Sequence, residues 1–383
     1  MHLSESWAVL LFLIAAVFVL YTLFGYPLLL AFLSRRRPGP AIQKDPLYRA
    51  LVSVVMPVKN GERWLAAKLD SLLAMDYPHE CFDAIYVISD GSTDRTAEIV
   101  TSYAHRNTGV PVKLLNVPPG GKALALNAAF GQVRGDILFL TDVRQPLEKT
   151  CLSQLVACFA DPTVGAVSGE LIIRDGTSSE EANTGLYWKY EKWIRKGLSK
   201  IDSVLGATGA VYAIRRSLAA ELPAGTLLDD VHLPLNAFFQ GYRVILDDSA
   251  RAYDIPTSLD SEFRRKVRTL AGNYQLLGRF PALLLPWRNR MWIHFMSHKF
   301  GRLILPWALL LAAAASLFLP PPWRALAVAA QLGFYSLAYA DRWLPEGFVL
   351  KKLSSPVRTF CVLMAATALA ASILISPKRQ FWK

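Results

Sequence analysis

Cysteine is scarce: Cys81, Cys151, Cys158 and Cys361 are the four in 383 residues, none in a Cys-x-x-Cys spacing. A disulfide framework and a zinc site are therefore not indicated, and the four read as buried, reduced thiols. No Gly-x-Gly-x-x-Gly follows the first strand-like run, which argues against a nicotinamide or flavin cofactor. His294 and His298 stand four apart, but Phe295, Met296 and Ser297 between them supply no general-base Glu, so an interfacial helix face is expected rather than a metalloprotease. There is no basic stripe interleaved with aromatics, and nucleic acid is accordingly not expected as a partner. Repeats and low-complexity tracts are lacking too, and the residues before the first apolar run have no basic stretch of the kind that opens a cleavable signal.

What is abundant is apolar. The chain is 53% hydrophobic with a mean hydropathy of +0.27, more than a soluble core needs, so part of that surface is expected to face lipid. Its 42 Lys+Arg against 30 Asp+Glu give a net charge of +12, which suits a phosphate-bearing substrate and anionic lipid headgroups. Trp7 to Leu33 carries no charged residue and is long enough to span a bilayer; Arg35-Arg36-Arg37 follow at once, placing the next segment in the cytoplasm. Leu303 to Leu319 and Trp323 to Ala340, separated by Pro320-Pro321-Pro322, read as a transmembrane hairpin. Phe360 to Ile375 is a further, short candidate, so three or four spans are expected. Between Arg279 and Phe300, basic residues mix with Phe280, Trp287, Trp292 and Phe295, the composition of an interfacial amphipathic segment.

Between the apolar ends, β-branched runs alternate with helical patterns. Leu51 to Val58, Ala84 to Ser89, Val112 to Asn116 and Asp136 to Thr141 read as strands, with helices from about Glu62 to Ala74, Asp94 to Tyr103 and Lys122 to Phe130. This alternation predicts an α/β, doubly wound, Rossmann-like layer with right-handed crossovers. Beyond it, a helix from Lys149 to Ala160, a β-rich piece from Val164 to Ile173, a polar loop from Asp175 to Asn183 and an aromatic helix with Tyr187, Trp188, Tyr190 and Trp193 are expected.

Four patches fall at the transitions. Ser89-Asp90-Gly91-Ser92-Thr93-Asp94 reads as a turn with a helix cap, yet Asp90 ends a strand, where α/β sheets present residues to ligands, and could accept hydrogen bonds from a base or ribose. Gly120-Gly121-Lys122 offers a glycine turn with amides at a helix start, suited to an anion. A lysine in that first turn opposes the helix dipole and needs a further reason. Thr141-Asp142 puts a carboxylate at another strand end, where it could cap a turn or, with diphosphate oxygens, hold Mg²⁺ or Mn²⁺. Asp229 and Asp230 lie within apolar neighbours, either a solvated helix start or a general base.

These residues, in order with Val54 to Glu62, Asp70-Ser71-Leu72-Leu73, Tyr77-Pro78, Gly206-Ala207-Thr208-Gly209 and Arg265 to Arg268, resemble the membrane-bound family 2 inverting glycosyltransferases of GT-A fold, particularly the bacterial polysaccharide-synthesising members. The resemblance implies Asp90, Lys122, Asp142, Asp229 and Arg268 on the nucleotide sugar, Asp142 on Mg²⁺ or Mn²⁺, Asp230 as catalytic base, and Gly206, Thr208 and Gly209 facing the acceptor. Three positions depart from the pattern. Arg144 stands at the second acidic place of Asp-x-Asp and weakens the metal expectation, while Arg265 and Thr269 replace the Gln and Trp of Gln-x-x-Arg-Trp. A guanidinium at 144 is expected to stand in partly for the metal. The implied arrangement is a transmembrane helix at 1–34, a cytoplasmic catalytic domain at 50–278, an interfacial segment at 279–300 and transmembrane helices at 301–376, in a bacterial inner membrane. The implied reaction moves a sugar, UDP-linked, to a polysaccharide or lipid-linked acceptor, with export-machinery proteins as partners. Single transfer to polyprenyl phosphate and a non-catalytic sugar-nucleotide sensor are the alternatives.

Overall fold

A computed structural model describes residues 3–106, 109–173, 179–254, 259–345 and 347–375, with side chains at 3, 4, 179–188 and 259–262 outside that description. Of the expected loop from Asp175 to Asn183, residues 175–178 lie outside the described residues and 179–183 are already helical; the side chains of Tyr187 and Trp188 and the basic tail from Lys378 also lie outside the described residues. Two compact units emerge: a helical unit of Met1–Arg36, Asp175–Ile194 and Pro256–Phe381, and a sheet unit of Arg37–Arg174 and Arg195–Ile255. The expected continuous domain at 50–278 is thus interrupted, because residues 175–194 and those beyond 255 group with the helices. In the helical unit, α1 (Leu3–Leu20) continues through a π turn at Tyr21–Gly25 into α2 (Tyr26–Arg36). Arg35 and Arg36 in the last turn suit the negative end of the helix dipole.

The sheet unit follows the alternation read from the sequence. β1 (Val52–Val58), α3 (Glu62–Leu73), β2 (Phe82–Asp90), α4 (Thr96–Ala104), β3 (Val112–Val117), α5 (Lys122–Phe130) and β4 (Ile137–Leu140) come first. Then follow α6 (Cys151–Ala157), β5 (Val164–Ile173), the last turns of α7 (Ser179–Ile201, which belongs to the helical unit up to Ile194), β6 (Tyr212–Arg215), α8 (Asp229–Phe239) and β7 (Arg243–Asp254). The seven strands lie in the order β3-β2-β1-β4-β6-β5-β7. β1 pairs in parallel with β2 and β4, and β2 with β3, so the first four strands form the expected parallel layer. β6, for which no strand was expected, runs antiparallel to both β4 and β5 and makes the sheet mixed. Strands buried on both faces need continuous apolar runs. Val54, Val55, Met56, Ile85, Val87 and Phe139 are fully buried, each such side chain contributing roughly 1.5 to 3 kcal/mol.

The rest of the helical unit comprises α9 (Leu259–Arg279), α10 (Trp292–His294), α11 (Gly301–Ser316), α12 (Trp323–Ala340) and α13 (Lys351–Ala370). A π turn at Phe295–Phe300 joins α10 to α11. Among the described residues, three helices are long and apolar enough to cross a membrane: Glu5–Arg36, Trp292–Ser316 and Lys351–Leu374. This revises the expected spans. The segment from Trp292 to Phe300 is the start of a spanning-length helix rather than a separate interfacial piece, and the final candidate gains length by beginning at Lys351. α12, with Arg324 and Gln331 in its 18 residues, falls outside the three.

The histidines expected on an interfacial face are instead buried. The Tyr26 hydroxyl meets His294 Nδ1 at 3.1 Å, and the Tyr26 ring stacks on His298 at 5.9 Å. The Arg302 guanidinium pairs with Glu191, and His298 Nε2 lies 3.6 Å from the same carboxylate.

Candidate active site

Asp90 ends β2 and is buried, and its carboxylate braces the turn ahead of α5. Oδ1 accepts from the amides of Gly120 at 2.7 Å and Gly121 at 3.0 Å, and Oδ2 from Gly121 at 3.1 Å. The amides expected to be free for an anion are therefore engaged by Asp90, the residue expected to meet a base or ribose. Gly121 holds φ at +88°, a left-handed conformation that a side chain would strain. That geometry aims the following residue, Lys122, across the sheet edge.

The Lys122 ammonium is 3.0 Å from Asp142 Oδ1 and 3.0 Å from Asp229 Oδ2. Burial works against its charge, but Asp142, Asp229 and Asp230 together outweigh burial and hold its pKa well above the usual lysine range. The lysine that opposes its own helix dipole thus has its reason: it offsets three carboxylates. Asp142 follows β4, and Asp229 and Asp230 open α8, where the dipole favours negative charge. Asp230 Oδ2 accepts from the Gly209 amide at 3.0 Å, and its carbonyl accepts from the Ala207 amide at 2.7 Å. A Cβ added at Gly209 would stand 3.1 Å from Asp230 Oδ2 and 3.5 Å from Asp142 Oδ2. A side chain there would press on the Asp230 carboxylate, which would have to give by a few tenths of an ångström.

The Gly206–Gly209 turn is held from behind. Arg195 donates to the Thr208 hydroxyl at 2.5 Å and to the Ser168 hydroxyl at 2.8 Å, and the Thr208 amide donates to Ser168 at 3.0 Å. Tyr212 on β6 is fully buried, and its hydroxyl has no hydrogen-bond partner among the described residues. Burial, then Asp229, Asp230 and Asp142, push its pKa well up, keeping it a neutral donor facing an acidic field. Lys68, buried on α3, donates to the Thr141 hydroxyl at 2.8 Å and the Gln145 carbonyl at 2.6 Å. Burial lowers its pKa to about 7 against the opposing pull of Asp142 and Cys151. None of Arg195, Ser168, Tyr212 and Lys68 was singled out from sequence. A lysine inside the Leu65, Leu69, Leu72 stripe was the one signal available for Lys68.

Arg144 corrects an expectation. Its guanidinium is 2.5 Å from Asp254 Oδ2, and Gln145 Nε2 donates to the same oxygen at 3.1 Å, so Arg144 ties its loop to the end of β7 rather than standing in for a metal. Among the described residues no group of three or more His, Cys, Asp or Glu is arranged to hold a metal ion. Asp142, the carboxylate that the resemblance assigns to a divalent cation, is paired with Lys122 in this structure. Arg268 lies exposed on α9 in the helical unit, near Arg265, whose carbonyl accepts from the Thr269 hydroxyl at 2.9 Å.

A parallel layer with an antiparallel insertion, and acidic residues at its strand ends around one lysine, is the architecture of a GT-A nucleotide-sugar enzyme. The sequence matches the model of glycosyl transferase family 2 over residues 53–222 and that of glycosyl transferase family group 2 over residues 145–372. The chain belongs to the family 2 glycosyltransferases. It is 30% identical over 261 residues to an N-acetylglucosaminyltransferase of Rhizobium meliloti (strain 1021), covering 61% of this chain and 59% of that protein. Against the probable glycosyltransferase YdaM of Bacillus subtilis (strain 168) the identity is 25% over 240 residues, covering 60% and 57%. The chain thus spans under two thirds of the length of these curated relatives. Among solved structures, the mannosyltransferase PcManGT from Pyrobaculum calidifontis, in complex with GDP-Man and Mn²⁺, matches with a TM-score of 0.73 at 25% identity, covering 95% of this chain and 99% of that one.

Proposed function

We propose that this enzyme is an inverting glycosyltransferase that moves a sugar from a nucleoside-diphosphate donor to a membrane-proximal polysaccharide or lipid-linked acceptor. The observation that carries the reading is the meeting of Lys122 with Asp142 and Asp229 at 3.0 Å each, beside an Asp230 carboxylate oriented by Gly209. In inverting transfer the acceptor oxygen attacks the anomeric carbon as the bond to the diphosphate breaks on the opposite face. Asp230 takes the acceptor proton, and its tether to the Gly209 amide fixes which oxygen does so. Lys122 offsets charge on the departing diphosphate. Each such preorganised contact is worth roughly 2.7 to 4 kcal/mol. Asp90 sets the turn that aims Lys122 and lies toward the nucleotide, while Gly206, Thr208 and Gly209 face the acceptor. Asp142 would hold a divalent cation, which supplies Lewis-acid neutralisation of the diphosphate.

The expected donor is UDP-linked; GDP-mannose in the Pyrobaculum enzyme makes a guanosine donor the alternative, and a donor screen reading free nucleoside diphosphate decides between them. With the productive donor, Asp230→Asn is expected to lower turnover about 10² to 10⁴-fold while nucleotide affinity holds. Wild-type turnover in that variant would overturn the assignment of the base. Asp142→Asn is expected to slow turnover and abolish its response to added Mn²⁺ or Mg²⁺.

A further inference from the structure

Lys68 stands where an apolar side chain would be expected. It lies on the inner stripe of α3 between Leu65, Leu69 and Leu72, is 2% exposed, and forms no ion pair among the described residues. Burying a lysine amino group without an ion pair costs stability, and an unbranched apolar side chain of similar length would avoid that cost. The return is geometric. One amino group grips both ends of the loop that carries Asp142: the Thr141 hydroxyl at 2.8 Å and the Gln145 carbonyl at 2.6 Å. The same Thr141 hydroxyl, accepting from Lys68, donates onward to the Ala210 carbonyl at 2.7 Å. Ala210 directly follows Gly209, whose amide holds the Asp230 carboxylate.

We propose that Lys68 is a positioning residue for sugar transfer: by closing the Thr141–Gln145 loop and, through Thr141, fixing the Gly206–Ala210 turn, it sets Asp142 and Asp230 in one mutual arrangement. This rests on the reading of Asp230 and Asp142 as the reacting and metal-holding carboxylates. Lys68 touches no substrate and takes no proton in the reaction. It joins two loops that each carry one half of the chemistry, and a displacement near 1 Å at such a site lowers rate by about a hundredfold.

The test measures kcat, KM for donor, nucleoside-diphosphate affinity and Tm for Lys68→Met, Thr141→Val, Thr141→Ser and Asp230→Asn, in the full-length detergent-purified protein. Lys68→Met and Thr141→Val should each lower kcat at least about tenfold with nucleotide affinity and KM little changed, and the double variant should lose no more than the worse single one. Thr141→Ser, which keeps the hydroxyl, should retain near-normal kcat. Tm of Lys68→Met should stay level or rise, which a merely structural role would not produce. Wild-type kcat in either Lys68→Met or Thr141→Val, or a lowered Tm with kcat per folded molecule unchanged, overturns the inference. If Lys68→Met does not fold, the two Thr141 variants decide alone, since equal kcat in Val and Ser breaks the relay. Wild-type turnover in Asp230→Asn instead overturns the underlying site reading, whatever Lys68 does.

Discussion

Lys122 sits against the dipole of its own helix, and the opposing field comes from Asp142, Asp229 and Asp230. Replacing it with Met should leave those carboxylates repelling one another and weaken nucleoside-diphosphate binding by roughly tenfold or more, alongside lost turnover; calorimetric titration with the diphosphate checks this. Gly209→Ala should lower turnover through Asp230 with little change in Tm, because the added methyl would stand 3.1 Å from Asp230 Oδ2, and an activity assay paired with a melt separates the two effects. Position along the strands made Asp90, Lys122, Asp142, Asp229 and Asp230 legible from sequence, since each ends a β run or opens a helix. Their partners were not. That Asp90 meets the Gly120 and Gly121 amides, or that Arg144 meets Asp254, depends on loop conformations that residue type alone leaves open. Lys68 and Tyr212 were hidden because a lysine in a helix and a tyrosine in a short apolar run both carry plausible surface or core readings.

At the scale of elements, Asp94 joins two helices. Its Oδ2 accepts from the Glu62 amide at the start of α3, at 3.0 Å, and its Oδ1 from the Thr96 amide at the start of α4, also at 3.0 Å. Partial burial tends to raise its pKa, but bonds from the Thr96 hydroxyl and from the Glu62 and Thr96 amides outweigh that and hold it below the usual range. With the folded value below the unfolded one, its contribution is complete above the unfolded pKa near 3.9 and is lost as pH falls through the folded value. Asp94→Ala should therefore cost about 1 kcal/mol at neutral pH and converge with wild type in strong acid, as melts at both pH values would show. The cap reading of the Ser89–Asp94 patch belongs to Asp94, while the Asp90 carboxylate holds the Gly120 and Gly121 amides. The first four strands were legible because parallel strands demand unbroken β-branched runs. β6 has four residues, too few for a period, and β7 carries Asp247, Asp248 and Ser249 in mid-strand with a register shift beside them, so neither announced itself.

At the scale of the whole molecule, three helices among the described residues meet the length and composition of a bilayer span. Membrane-fraction protein should accordingly resist extraction at alkaline pH, and label from the donor should reach lipid-linked or polymeric product in preference to a soluble sugar. Hydropathy found the first span from its uncharged run, but it set the wrong start for the later ones, because Arg302, His294 and His298 dilute one apolar helix and Lys351 and Lys352 head another. One consequence concerns biogenesis. Arg302 lies inside a helix of spanning length and pairs with Glu191, 111 residues earlier in the chain, so the ribosome delivers the acid well before the base it must neutralise. The nascent chain thereby has a counter-ion waiting when its costliest segment reaches the insertion machinery, and Glu191→Gln should show as a lower yield of membrane-inserted protein.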